Sequence, residues 1–185
     1  MTVAIIGVGT IIYQDEGIGV YAKRYLELNY EFDHEITFVD GGVLGFQLMV
    51  YYQDFDKVMI LDTITMDNDE AGAIYNLPAE ELLGLGSYKQ TAHEVEIVEM
   101  LEICSLLERM AEVTIVGIIP ENIEEVVTKL TPILHNKFQD FINAALCQIS
   151  KYGIKYTKKD KCISLDEIIY QYDNPVARKD LEGLR

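Results

Sequence analysis

Residues 3–6 and 113–119 are short runs of mainly β-branched, apolar side chains without polar alternation, and residues 57–62 form a third apolar run. Strands that hide both faces read this way, whereas a strand with one wet face alternates. Buried two-sided strands belong to parallel sheets covered by helices, so this feature already excludes an all-helical bundle and an open antiparallel sandwich. The first run stops at Gly7 and Gly9 and leads within a few residues to two adjacent acids, Asp15 and Glu16. Glycines there permit a tight turn and keep Cβ atoms out of the space above the strand's carboxyl end, where open α/β sheets bind their ligands.

Further along, strand and helix patterns alternate. Residues 17–31 carry Ile18, Ala22, Tyr25, Leu26 and Leu28 at helical spacing, and residues 35–39 alternate as a second strand that stops at Asp40, Gly41 and Gly42. Residues 44–52 predict a short helix, and residues 57–62 a third strand ending in Asp62. Residues 72–77 predict a fourth strand, paired at an edge, before an irregular connection that reaches residue 90. Thr91 followed by Glu94 has the capping-box spacing and opens a helix whose first turn holds His93. A fifth strand over residues 113–119 precedes a long helix over residues 131–152, with Pro132 tolerated in its first turn. The expected architecture is α/β: a three-layer fold with a mostly parallel, twisted five-stranded sheet and helices on both faces, joined by right-handed crossovers. Residues 1–152 form a single α/β catalytic domain on this reading. Residues 153–185 lack periodicity apart from residues 165–172 and are expected to be an accessory C-terminal tail.

A chain of 185 residues with 49% hydrophobic and 25% charged side chains is long enough for one core without a disulfide or metal staple. Cys104, Cys147 and Cys162 are odd in number and widely spaced, which points to reduced thiols and a cytoplasmic setting. No apolar stretch approaches the ~20 residues that a membrane-spanning helix needs. The formal charge of −16 argues against a nucleic-acid partner, since such affinity rests on cations that neutralise phosphates. Residues 151–185 hold 8 of the 15 basic residues and 6 of the 31 acids, so the acidity is concentrated in the body.

The glycine turn is not a dinucleotide fingerprint. Ile12 stands where the third glycine of Gly-x-Gly-x-x-Gly would be, and no Lys or Arg follows before Lys23. Asp15 and Glu16 admit two readings: ligands for a divalent cation, or acids that favour the positive end of a helix. In the expected topology Glu16 follows the first strand, Asp40 the second and Asp62 the third, while His93 starts a helix, so all four can reach one edge. Two carboxylates and an imidazole suit a divalent transition metal better than calcium or magnesium. Taken singly each has a structural explanation; their convergence favours the metal. His34, at a helix-to-strand turn, and His135, inside the late helix, are weaker candidates.

Gly7-Val-Gly9, Asp15-Glu16-Gly17-Ile-Gly19-Val20, Asp40-Gly41-Gly42, Leu61-Asp62 and His93, with residues 116–121, resemble in order and spacing the hydrogenase maturation endopeptidases. The likeness covers about residues 1–152, and Thr10 replaces the asparagine usual after the second glycine. The resemblance implies a five-stranded α/β fold and an enzyme that removes a short C-terminal extension from the large-subunit precursor of a nickel-iron hydrogenase once nickel is installed. It implies Glu16, Asp62 and His93 as metal contacts, catalytic roles for Asp40, Glu16 and Asp62, and substrate recognition by Gly41 and Gly42. The nickel comes with the substrate, and no permanently bound cofactor is expected. The partner expected is that precursor, with no nucleic acid and no membrane insertion. A non-catalytic flavodoxin-like module that uses the same cleft for a cation or ligand is the competing class.

Overall fold

The computed structural model describes residues 1–42, 48–66, 70–79, 81 and 110–174. Its central sheet has five strands: β1 (Val3–Val8), β3 (Ile36–Gly42), β4 (Lys57–Thr63), β5 (Ile74–Pro78) and β6 (Glu112–Ile118), in the spatial order β3-β1-β4-β6-β5. All neighbours run parallel except β5, which pairs antiparallel with β6 at the edge. The three strands in the middle are buried along almost their whole length, which is why their sequences do not alternate.

Helices cover both faces. On one, α1 (Ile18–Asn29), α3 (Pro132–Lys151) and α4 (Leu165–Asp173) pack with Val3, Ile5, Met59, Leu61, Val116 and Ile118. On the other, α2 (Met49–Asp54) contributes Tyr52 to a cluster with Ala4, Ile6, Val58, Ile60 and Ile115. Each fully buried aliphatic or aromatic side chain in these layers contributes about 1.5–3 kcal/mol. Helix α3 forms where its sequence directs: Thr131 sits extended at the N-cap and accepts a hydrogen bond from Leu134 N–H at 3.4 Å, Pro132 occupies the first turn, and Leu134, Phe138, Phe141, Ile142, Ala145 and Ile149 make its buried stripe.

Two expectations change. Strand β3 continues through Asp40, Gly41 and Gly42 instead of stopping before them, because a register shift between Gly7 and Val8 lets Gly42 stay paired with Val8. The core also does not end at residue 152. Ile154, Leu165 and Ile168 belong to the α1–α3 cluster, and β7 (Tyr156–Lys158) pairs antiparallel with β2 (Tyr30–Phe32) in a second, two-stranded sheet. Asn29 is fully buried and fixes this addition, donating to Ile163 C=O at 2.9 Å and accepting from Ile163 N–H at 2.6 Å. Residues 154–173 are thus part of the body, not an appended tail. The helix expected to begin at residue 91, with His93 and Cys104, lies outside the described residues.

Candidate active site at the carboxyl edge of the sheet

Strands β1 and β4 are neighbours, yet the chain leaves β1 towards β3 and leaves β4 towards β5 and β6. Connections that depart in opposite directions open a crevice at the carboxyl ends of the two strands. A short 3-10 turn (Gln14–Gly17) and the start of α1 enter that crevice. The approach is backbone against backbone: a Cβ on Gly19 would lie 2.1 Å from Leu61 O and 2.5 Å from Val8 O, and one on Gly9, whose φ is +118°, would lie 1.8 Å from Glu16 O. Only glycine fits at either position. The two contacts set the Glu16 backbone against Gly9, and Gly19, three residues on, against the end of β4, the strand that carries Asp62.

Both carboxylates are largely withdrawn from water, Glu16 at 9% and Asp62 at 2% exposure. Asp62 Oδ1 accepts from Thr63 N–H at 2.7 Å, which sets the plane of its carboxylate. The third predicted ligand, His93, lies outside the described residues, and among those described no group of three or more potential metal-binding side chains occurs.

Asp40 stands on the other flank of β1. It pairs with Gly7, which on its opposite side pairs with Leu61, so Asp40 and Asp62 are two strands apart, roughly 10 Å between backbones, and differ by one residue in level. Alternation then puts Asp40 on the face covered by α1 and α4, and Asp62 on the face of α2. Gly41 is packed tightly, since a Cβ there would come within 2.8 Å of Ile6 Cγ2 and 3.0 Å of Gly7 O. Gly42 has φ +44°, its carbonyl accepts from Gly9 N–H at 3.1 Å, and among the described residues a Cβ on it would meet only Asp40 Oδ1, at 3.9 Å. Among the described residues, Asp40 Oδ1 is thus the side-chain atom that borders Gly42.

Asp15 and Glu16, weighed together from the sequence, have different roles. Asp15 is wholly buried and accepts from Glu121 N–H and Asn122 N–H at 3.0 Å, and from Thr131 N–H at 2.7 Å and Thr131 Oγ1–H at 3.0 Å. Its own N–H donates to Asn122 C=O, Gln14 N–H donates to Val127 C=O, and Val127 N–H donates to Ile12 C=O. Asp15 therefore binds the β1–α1 loop to residues 121–131, and takes a structural role distinct from that expected of Glu16. Gln14, just before Asp15, holds a left-handed φ of +45°, and its buried Oε1 accepts no hydrogen bond among the described residues. Nothing in residue spacing announces this, nor the hydrogen bond that Tyr172 on α4 donates to Asp40 Oδ2 at 3.1 Å.

A sequence-family model described as hydrogenase maturation protease matches residues 20–148. The hydrogenase 2 maturation protease of Escherichia coli K12 is 28% identical over 156 residues, covering 84% of this chain and 94% of that protein. The hydrogenase expression/formation protein HupD of Bradyrhizobium diazoefficiens is 24% identical, with 92% of this chain and 90% of that one covered. Among solved structures, the hydrogenase maturating endopeptidase HybD from E. coli superposes with a TM-score of 0.79 at 26% identity, over 86% of this chain and 98% of that one. The [NiFe] hydrogenase maturation protease HybD from Thermococcus kodakarensis shares the fold, with a TM-score of 0.65 at 23% identity over 80% of this chain and 99% of that one. The glycine-lined crevice with its withdrawn carboxylates is thus the candidate site of a peptide-cleaving enzyme, and the chain belongs to the hydrogenase maturation protease family.

Proposed function

We propose that this protein removes the C-terminal extension of a nickel-iron hydrogenase large-subunit precursor after nickel insertion, and that the nickel carried by the precursor is the handle by which it is recognised. The observation that carries this reading is the seating of Gly19 on the Leu61 carbonyl, which sets the helix that follows Glu16 against the end of the strand that carries Asp62, where the strand connections diverge. Two carboxylates at a mouth, with His93 as the third donor the sequence offers, suit a borderline divalent ion and leave positions for ligands that belong to the substrate. A metal already held by a precursor needs such an incomplete set; a resident cofactor normally has a fuller protein shell.

Nickel bound by Glu16, Asp62 and His93 anchors the precursor so that its scissile peptide lies over Gly41 and Gly42. Gly42 carries no side chain to obstruct a peptide backbone, and Asp40 Oδ1 borders it. There Asp40 serves as general base: it takes a proton from the attacking water, the water oxygen bonds to the carbonyl carbon, the C–N bond breaks, and the proton passes to the departing amine. No thiol is required. Cys147 and Cys162 are exposed free cysteines, consistent with action in the reducing cytoplasm. Among the described residues no helix is long and apolar enough to cross a membrane.

The test is incubation with nickel-loaded and nickel-free precursor, read by product mass. Cleavage confined to the loaded form, and lost in Glu16→Gln and His93→Ala, is the expected result. Equal cleavage of nickel-free precursor would overturn the handle.

A further inference from the structure

We infer that Tyr172, on the C-terminal helix α4, is a positioning residue for Asp40: its hydroxyl fixes one carboxylate oxygen so that the other is presented to the space over Gly42. The inference rests on the assignment of Asp40 to the cleavage step and adds a residue that lies outside the 20–148 segment matched by the family model.

Asp40 is exposed, and an exposed carboxylate on a strand end is free to rotate about its side-chain bonds unless something holds it. The Tyr172 hydroxyl donates to Oδ2 at 3.1 Å. Oδ1 is then the oxygen that faces Gly42, since among the described residues it is the one atom within 4 Å of where a Cβ would stand there. One oxygen is anchored and one faces Gly42, as an oriented proton acceptor requires.

The phenol is itself held from two directions. Its ring meets the ring of Tyr21 edge-on, with centroids 5.6 Å apart, and Tyr21 is fully buried on α1. The next residue, Asp173, accepts from Thr128 Oγ1–H at 2.7 Å, which pins the end of α4 to the segment that Asp15 clamps. Burial first, and the Asp173 carboxylate second, push the Tyr21 phenol well above its ordinary range, so that ring stays neutral. Tyr21 OH also lies 3.5 Å from Ile11 O on the loop leading to Glu16. Through Tyr172 and Tyr21, α4 therefore touches both the Asp40 flank and the Glu16 loop. A residue that only covered the core would not need its hydroxyl on Asp40.

Tyr172→Phe removes the hydroxyl and keeps the ring. With nickel-loaded precursor, kcat is expected to fall roughly fivefold to tenfold, the net size of one ordinary hydrogen bond, with KM within about twofold and the melting temperature unchanged. Asp40→Asn is measured beside it. If Asp40→Asn is inactive and Tyr172→Phe keeps the full kcat, the inference is overturned while the assignment of Asp40 stands. If Asp40→Asn cleaves normally, that assignment fails and takes the positioning role with it. A drop in kcat that tracks a lower melting temperature, or a rise in KM with kcat intact, also overturns it.

Discussion

Asp15 holds Thr131 by both of its carboxylate oxygens, one on the backbone N–H at 2.7 Å and one on the hydroxyl at 3.0 Å. The Thr131 hydroxyl, with its proton given to Asp15, keeps a lone pair for Leu134 N–H, so the cap of α3 is completed by a residue from the β1–α1 loop. Asp15→Ala would leave the N–H groups of Glu121, Asn122 and Thr131 without their acceptor. A loss of about 3 kcal/mol or more is expected, seen as a melting temperature lower by roughly 6–12 °C. An unchanged melting curve would show that Asp15 does not carry this junction.

Asp40→Asn is expected to behave in the opposite way. The side chain is exposed and the replacement is isosteric, so cleavage should be lost while the melting temperature moves by no more than about 1 °C. A collapse in stability would make Asp40 a structural residue of the strand end.

Gly19→Ala tests the close approach. The added methyl would lie 2.1 Å from Leu61 O and 2.5 Å from Val8 O, both backbone atoms, so the start of α1 must retreat from the sheet. The expected cost is about 1–3 kcal/mol, together with weaker binding of an added divalent ion as Glu16 moves away from Asp62. Titration calorimetry with nickel or zinc reads the second effect; unchanged affinity would separate Glu16 from the metal.

Removal of residues 160–185 should destabilise the protein. Leu165 and Ile168 leave the core, Asn29 loses both bonds to Ile163, and a penalty of at least about 3 kcal/mol follows from the apolar burial alone. A truncated chain with an unaltered melting temperature would restore the view of this segment as accessory.

Much of the scaffold could be read from local pattern. The apolar runs of β1, β4 and β6 are continuous because both faces are covered, and the stripe of α3 shows at every helical turn. Strand β7 escaped notice because Tyr156, Thr157 and Lys158 are all exposed and carry no hydrophobic signature; their pairing is set by β2, more than 120 residues earlier. Glu16, Asp40 and Asp62 stand out as candidates because acids and glycines at strand ends mark the ligand edge of a parallel sheet. Neighbouring Asp15 could not be told from Glu16, since the partners that distinguish them are 106 to 116 residues away. Tyr172 was hidden for the same reason, lying 132 residues from the carboxylate it touches.

The stitching of Asn29 to Ile163 also dictates how the molecule is made. A ribosome releases β1, α1, β3 and β4 long before the segment that covers their outer flank, and the pairings involved are non-local. Until residue 168 has emerged, the side of α1 that receives Leu165 and Ile168 stays wet, and the nascent chain is a partly assembled sheet with exposed apolar surface, the kind of species that chaperones retain. Tyr172 reaches Asp40 only at that last stage, so the cleft is completed after the rest of the body has been synthesised.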